Sequence, residues 1–272
     1  VVKLGLIGFP VEHSLSPAIH EAAFRAAGLS GSYRALKTPP QFLRARLQEI
    51  RREYVGVNVT IPHKESVMAH LDELTSEARA IGAVNTILCK EHRLIGYNTD
   101  GLGFISGLDE AGIPYRNQKA LVLGAGGAAR AIAYALRERG AHVAVYNRSM
   151  ERARELCKEF GLHVVSEPLL DTAVKSCELL INATSVGLKD PHSSPLPEGL
   201  LPREGAVVDI VYNPAITRLM REAKKAGLLT LGGLPMLVWQ GALAFELWTG
   251  VKPDVQAMYA AARARLDQIP GQ

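Results

Sequence analysis

Short apolar runs of strand-forming residues alternate along this chain with longer segments whose apolar residues recur every three or four positions. "VVKLGLIG", "SYRALK" and "VGVNVT" read as strands. Between the first two lies "SPAIHEAAFRAAG", a helix with Ser16 at the N-cap, Pro17 at its first position and Gly28 as its stop. "PPQFLRARLQEI" gives a second helix, and the pattern predicts a third over 71–81. "AVNTILCK" and "RLIGYN" read as a strand pair around the turn Glu91-His92, ending at "TDG".

A second alternation starts near Lys119. It runs "KALVLG", a helix over 128–139, "AHVAVYN", a helix over 150–160, "CELLINAT", "GAVVDIVY", a helix from Pro214, and "LLTLGG". Strands separated by helices imply right-handed crossovers and a parallel sheet, so this half is expected to be a doubly wound α/β domain. Two further helical stretches, "PMLVWQGALAFELWTG" and "DVQAMYAAARARL", bring no new strand. Periodicity alone leaves open which half they join. The segment 188–197, "LKDPHSSPLP", is the richest in turn formers.

Composition changes this picture little. The 272 residues are 47% hydrophobic and 21% charged, an ordinary balance for a packed α/β chain. A formal charge of +4 and a pI near 9.0 raise the question of nucleic acid, but the basic residues are interspersed with acids and do not cluster with aromatics. Cys89, Cys157 and Cys177 are far apart and lack metal-ligand spacing. They are expected to be buried thiols of a reducing compartment. No apolar run is long enough to span a bilayer and no secretory leader pattern precedes the first strand, so the expectation is a cytoplasmic protein with no nucleic-acid or membrane partner.

"LVLGAGGAAR" places Gly124, Ala125, Gly126, Gly127 and Ala128 between a strand and a helix. Gly124 suits the tight turn, Gly126 admits a close pyrophosphate, and Ala129 is small enough for helix and strand to pack. Free amides at the helix start would hold the phosphates of a dinucleotide. The next strand ends "YNRSMER" with no carboxylate to take a ribose 2′-hydroxyl. Asn147, Arg148 and Ser149 offer donors instead, with Arg130 and Arg152 as second contributors, and a 2′-phosphate fits them better. The expected cofactor is NADP.

In the first half "GVNVTIPHK" brings Asn58, Thr60 and Lys64 to the end of an apolar strand, where open α/β sheets collect ligands. Standing alone, Lys64 would be an ordinary surface lysine and Asp100 of "YNTDG" an ordinary helix cap. Paired, the carboxylate would hold the ammonium where it can give a proton to a developing alkoxide. Ser14 and Ser16 converge at a helix N-terminus, a favourable place for an anion. Gln240 interrupts an apolar run, where an unpaired amide is costly.

The ordered series "SLSP", "NVTIPHK", "AVNTI", "YNTDG", "GAGGAAR", "NRS", "NATSVG", "VYNP" and "GLPMLVWQ" resembles the shikimate dehydrogenase family over essentially the whole chain. The resemblance implies a mixed-sheet α/β substrate domain, 1–100 and 235–272. An NADP-binding Rossmann domain, 101–234, is inserted in it, with an active-site cleft between the two. It also implies that the C-terminal helices return to the substrate domain. It makes Lys64 and Asp100 the catalytic pair and gives Ser14 and Ser16 the substrate carboxylate. Asn58, Thr60, Asn85, Asp100 and Gln240 then ring the substrate hydroxyls, with Tyr212 nearby, while Thr184 and Met236 join the cofactor site. No metal is implied.

The implied reaction is the reversible NADPH-dependent reduction of 3-dehydroshikimate to shikimate in aromatic amino-acid biosynthesis, by a monomer or homodimer. Two rivals remain at this point. One is a quinate/shikimate dehydrogenase of broader use, and the other a non-catalytic NADP-binding regulator.

Overall fold

In the computed structural model, which describes residues 1–269, the two alternations become two six-stranded sheets. The chain forms two compact units. One is Val1–Gly103 with the described residues from Leu237, the other Phe104–Met236. These divisions fall within a few residues of 100/101 and 234/235; the last three positions of the expected substrate domain, 270–272, lie outside the described residues.

The first unit runs β1 (Val2–Gly8), α1 (Ser16–Ala27), β2 (Gly31–Lys37), α2 (Leu43–Glu53), β3 (Gly56–Val59), β4 (Glu73–Leu74), α3 (Ser76–Ile81), β5 (Thr86–Lys90) and β6 (Arg93–Tyr97). Its sheet has the order β2-β1-β3-β5-β6-β4. β1 pairs in parallel with β2 and β3, whereas β3–β5 and β5–β6 are antiparallel, so the sheet is mixed. Central β1 and β3 are buried along nearly their whole length, which is why they read as continuous apolar runs rather than alternating ones. The hairpin β5–β6 turns at Glu91 and His92, both in the left-handed region at φ 51° and 60°, the geometry a two-residue hairpin needs.

Two local expectations are corrected here. The helix expected over 71–81 is the strand β4 and then α3, which starts only after Thr75 caps it by accepting from the Ala78 N–H at 3.2 Å; a short 3₁₀ turn (Ser66–His70) precedes them. Helical periodicity there is interrupted by a strand whose partner, β6, lies some twenty residues on. At α1 the N-cap is Leu15, not Ser16, and Ser16 is the first helical residue. The Ser14 hydroxyl accepts from the Ser16 N–H at 3.1 Å, so the turn before the helix is closed one residue pair earlier than expected.

The second unit contains most of α4 (Asp100–Ala111), then β7 (Lys119–Leu123), α5 (Gly127–Glu138), β8 (His142–Tyr146), α6 (Met150–Phe160), β9 (His163–Val164), α7 (Leu170–Ser176), β10 (Leu179–Asn182), β11 (Ala206–Asp209), α8 (Arg218–Lys225) and β12 (Leu229–Leu231). All its strands are parallel, in the order β12-β11-β10-β7-β8-β9. Alternate residues feed opposite faces: Ala120 and Val122 pack with Ile132 and Leu136 of α5, whereas Leu121 and Leu123 pack with Val174 of α7 and Leu219 of α8. The strand order reverses at β7, and ligands of such sheets gather beyond the carboxyl ends at that point. The sequence pattern does not predict β9 and α7, and α8 starts at Arg218 behind a Thr217 cap rather than at Pro214.

Two last helices follow, α9 (Leu234–Thr249) and α10 (Val255–Leu266). α10 packs on α1, and Trp248 of α9 donates to the Ile87 carbonyl at 3.0 Å, tying α9 to the first sheet. Cys157 and Cys177 are buried, Cys89 is half-buried, and none is bridged. Among the described residues no helix is long and apolar enough to cross a membrane.

Candidate active site

In the first unit β3 carries Asn58 and delivers Thr60 just beyond its end, and the chain then brings Lys64 back to the N-terminus of α4. The Lys64 ammonium lies 2.6 Å from Asp100 Oδ2, with the two side chains 16% and 5% exposed. The Asp100 carboxylate does not cap its helix. Its other oxygen accepts from Asn85 Nδ2 at 3.0 Å, while the Asp100 N–H donates to Asn98 Oδ1 at 3.0 Å. Both carboxylate oxygens are thus held, and the ammonium retains two further hydrogens.

Asn85 is the hub. Its Oδ1 accepts from the Thr99 N–H at 2.7 Å and the Thr86 hydroxyl at 3.0 Å. Its Nδ2 faces Thr99 Oγ1 at 2.8 Å, Asp100 Oδ1 at 3.0 Å and Gln240 Oε1 at 3.3 Å. Gln240 Nε2 donates to the Leu237 carbonyl at 2.7 Å, and the Thr99 hydroxyl donates to the Gln240 carbonyl at 3.0 Å. This close approach of α4 to α9 depends on Gly103, where a Cβ would stand 2.7 Å from the Gln240 nitrogen.

Asn58 is buried and fully engaged as a donor. Its Nδ2 gives its two hydrogens to the Asn85 carbonyl (3.2 Å) and Thr86 Oγ1 (3.1 Å), and its Oδ1 accepts from the Tyr33 hydroxyl at 2.8 Å. Towards a ligand it can act only as an acceptor. Thr60 is half-buried, its methyl packed so closely over Gly8 that a Cβ there would meet it at 2.3 Å. Ser14, half-buried, and Ser16, buried, stand at the start of α1, whose first turn has no side-chain cap. Pro17 has no N–H and that of Ser16 is taken by Ser14 Oγ, so this turn offers an anion the Ala18 N–H and the two hydroxyls.

The second unit offers backbone instead. Gly124 has φ 118°, and a Cβ there would lie 2.9 Å from the Ala183 carbonyl. Gly126 is the N-cap of α5, which no side chain caps, and a Cβ on it would meet nothing within 4 Å. That open space before the bare N–H groups of Gly127 and Ala128 fits a diphosphate. Ala125 and Ala129 are buried beneath it.

Beyond β8, Asn147 Nδ2 donates to the Ser149 carbonyl at 3.0 Å, and Arg148 and Ser149 are exposed. Ser149 occupies the N-cap of α6 with no side-chain bond to the helix, and Arg152 lies in the helix's first turn. Arg130 is paired with Glu159 and stacked over Phe160 at 5.2 Å, which directs it to α6.

Thr184 is fixed by a buried network that the sequence does not reveal. Its N–H and hydroxyl both donate to Asn182 Oδ1, at 3.0 and 2.7 Å. Asn182 Nδ2 reaches Asp209 Oδ1 at 3.0 Å, and Asp209 also accepts from the Thr217 hydroxyl and the Val211 N–H at 2.7 and 3.1 Å. Burial pushes the Asp209 carboxyl above its usual range, against these donors. Tyr212 follows in the next loop, half-buried, and Met236 packs on the core that Val122 and Ile132 share. Polar residues ending apolar strands, as in "LLIN" and "AVVD", are the signal for Asn182 and Asp209.

Three family models match the chain: the shikimate dehydrogenase substrate binding domain over residues 6–87, shikimate/quinate 5-dehydrogenase over 109–231, and the shikimate 5′-dehydrogenase C-terminal domain over 233–263. A shikimate dehydrogenase (NADP(+)) of Thermus thermophilus is 54% identical over 266 residues, covering 98% of this chain and 99% of the relative. One from Symbiobacterium thermophilum is 46% identical over 280 aligned residues, covering 98% and 95%. The crystal structure of a shikimate 5-dehydrogenase from Thermus thermophilus in complex with NADP(H) and shikimate superposes with a TM-score of 0.93. It is 54% identical, and the match covers 97% of this chain and 100% of that one.

Proposed function

This chain belongs to the shikimate dehydrogenase family, and from its site we propose that it interconverts 3-dehydroshikimate and shikimate with NADP, Lys64 and Asp100 forming the catalytic pair. The observation that carries the reading is the buried 2.6 Å contact between them, braced by Asn85. Lys64 meets the ring oxygen, giving a proton or hydrogen bond as negative charge develops there, and takes it back in the oxidative direction. Asp100 holds the ammonium in place through one of its hydrogens and leaves the others for the substrate. Ser14 and Ser16 take the carboxylate. Thr60, Asn85 and Gln240 sort the substrate hydroxyls, so an analogue lacking one leaves a buried polar group unpaired.

Bound NADPH supplies the hydride. Gly124 to Ala128 hold its diphosphate, Thr184 and Met236 line the rest of the cofactor site, and Asn147, Arg148, Ser149 and Arg152 receive the 2′-phosphate. The absence of a carboxylate at the end of β8 supports NADP over NAD. Tyr212 belongs to the substrate site. The substrate domain is 1–100 with 235–272 and the cofactor domain is 101–234. Three unbridged cysteines support a cytoplasmic enzyme, acting as a monomer or homodimer.

The test is the absorbance of NADPH formed from shikimate and NADP, run beside quinate and NAD. Lys64→Ala is expected to lower kcat/KM by about 10²–10⁴ while shikimate still binds. Turnover of quinate at a similar rate would move the protein to the broader activity. A wild-type protein that binds NADP but turns over neither substrate would overturn the enzymatic reading.

A further inference from the structure

The network under Thr184 ends in a residue that neither the motifs nor the proposed chemistry uses. Asp209 closes β11 and is fully buried. The groups that donate to it, Asn182 Nδ2 at 3.0 Å, the Val211 N–H at 3.1 Å and the Thr217 hydroxyl at 2.7 Å, are all neutral. A buried carboxylate met only by neutral donors is a costly way to finish a strand. What it secures lies on β10, where the parallel register sets Asn182 beside it. Asn182 gives one amide hydrogen to Asp209 Oδ1 and the other to the Val186 carbonyl at 3.2 Å, so its Oδ1 has to face the other way. There it takes both the N–H and the hydroxyl hydrogen of Thr184, at 3.0 and 2.7 Å. The Val186 N–H in turn donates to Thr184 Oγ1 at 3.1 Å. That oxygen therefore keeps a lone pair, and no hydrogen, for a ligand. The Thr184 methyl carbon would stand 3.3 Å from a Cβ on Gly124, which places this residue against the glycine turn between β7 and α5.

We propose that Asp209 is a positioning residue for the cofactor: through Asn182 it fixes the Thr184 hydroxyl as a pure acceptor for an O–H or N–H of bound NADP. This rests on the reading of Thr184 as part of the cofactor site. An asparagine amide fits its place either way round, and the flipped form would set an NH₂ against the Thr184 N–H. Two groups that accept and cannot donate, the Asp209 carboxylate and the Val186 carbonyl, exclude that form. Val186 belongs to the same loop as Thr184, whereas Asp209 belongs to the sheet and gives the amide a fixed reference. As an ionised acceptor it also makes the stronger bond of the two.

The test titrates each protein with NADPH by fluorescence and melts it by circular dichroism. Thr184→Val keeps the shape and loses the hydroxyl, and its Kd for NADPH is expected to rise about fivefold, the scale of one hydrogen bond. Asp209→Ala should raise the Kd by about three- to fivefold, and the double variant by no more than Thr184→Val alone, because the carboxylate acts only through that hydroxyl. Asp209→Asn keeps an oxygen towards Asn182 and turns its amide to Thr217, so the Kd should return to within about twofold of wild type. Thr217→Val removes another partner of Asp209 together with the cap of α8, and should lower the melting temperature while the Kd stays within about twofold. Should Asp209→Ala not fold, Asp209→Val, an apolar strand former, takes its place in the series. Multiplying losses in the double variant, a normal Kd without the carboxylate, no rescue by Asp209→Asn, or an affinity that falls with the melting temperature in Thr217→Val would each overturn the proposal. Failure of the underlying reading looks different: Thr184→Val itself would bind NADPH as well as wild type does.

Discussion

Around β3 and the start of β5, polar side chains are bonded to one another, whereas beyond β7 and β8 the groups on offer are backbone N–H and exposed side chains. Asn85 alone joins Thr86, Thr99, Asp100 and Gln240. Gly126, by contrast, presents open space and an uncapped helix. On the proposed function, the difference matches what each unit would recognise. A ring bearing several hydroxyls is distinguished by donors and acceptors fixed in number and direction, and fixing them takes a closed network. A diphosphate carries charge without much shape, and a helix N-terminus meets it with groups every helix already has.

The largest effect should come from breaking the side-chain network at its charged member. Asp100→Asn preserves shape but loses the carboxylate that holds Lys64 and accepts from Asn85. We expect kcat to fall about 10²–10³-fold, within the range for a general acid that has lost its orientation. NADPH affinity, read by fluorescence titration, should stay as in wild type. A parallel loss of cofactor affinity would mean that the two kinds of recognition are not separable as described.

The backbone side can be broken in two distinguishable ways. Gly124→Ala forces a side chain onto φ 118° and against the Ala183 carbonyl, and should destabilise the protein by about 1–3 kcal/mol. Gly126→Ala meets no protein atom and has an ordinary φ of −85°, so the melting temperature should not move. NADP affinity should nevertheless fall about tenfold, the equivalent of ~1.4 kcal/mol, because the methyl group fills the space left for the diphosphate. If Gly126→Ala binds NADP normally, that space is not the diphosphate cradle.

What can be seen in the sequence follows the same division. The helix α1 starts within one residue of its capping signal, and the glycines of β7–α5 and the "NRS" after β8 are local patterns and stand where the periodicity puts them. So do the apolar strands β1 and β3, because burial on both faces leaves an unbroken run. The two-residue strands β4 and β9 are invisible there, since their pairing with β6 and β8 is tertiary and leaves no period in the sequence. The site is legible as a set of residues but not as a network. Nothing local says that both hydrogens of Asn58 are spent on Asn85 and Thr86, or that Tyr33 and Thr99 complete the bonding around them. Asn182 and Asp209 carry a signal, as polar residues ending buried strands, but their mutual contact is made by the parallel register of β10 and β11.

The buried titratable groups give the smallest test, and they have opposite signs in the two units. His20, fully buried in the first unit, is pushed by desolvation from 6.5 down to about 3. The unfolded chain therefore binds a proton that the folded unit refuses, and stability present above pH 6.5 is lost progressively as pH falls towards 3. Between pH 7 and pH 6 this single group should remove about 0.7 kcal/mol. Asp209 in the second unit is shifted upward, so the folded form takes a proton more readily than the unfolded one, and acidification through that range favours it. Trp239 and Trp248, the chain's two tryptophans, both lie in the first unit, so their fluorescence reports on His20's side of the molecule. Urea melts read this way at pH 7 and pH 6 should show the loss in wild type and not in His20→Phe, which keeps a ring on Tyr33 but cannot titrate. Equal losses in the two proteins would show that the imidazole binds a proton in the folded state, and a neutral His20 stacked on Tyr33 would have to be abandoned.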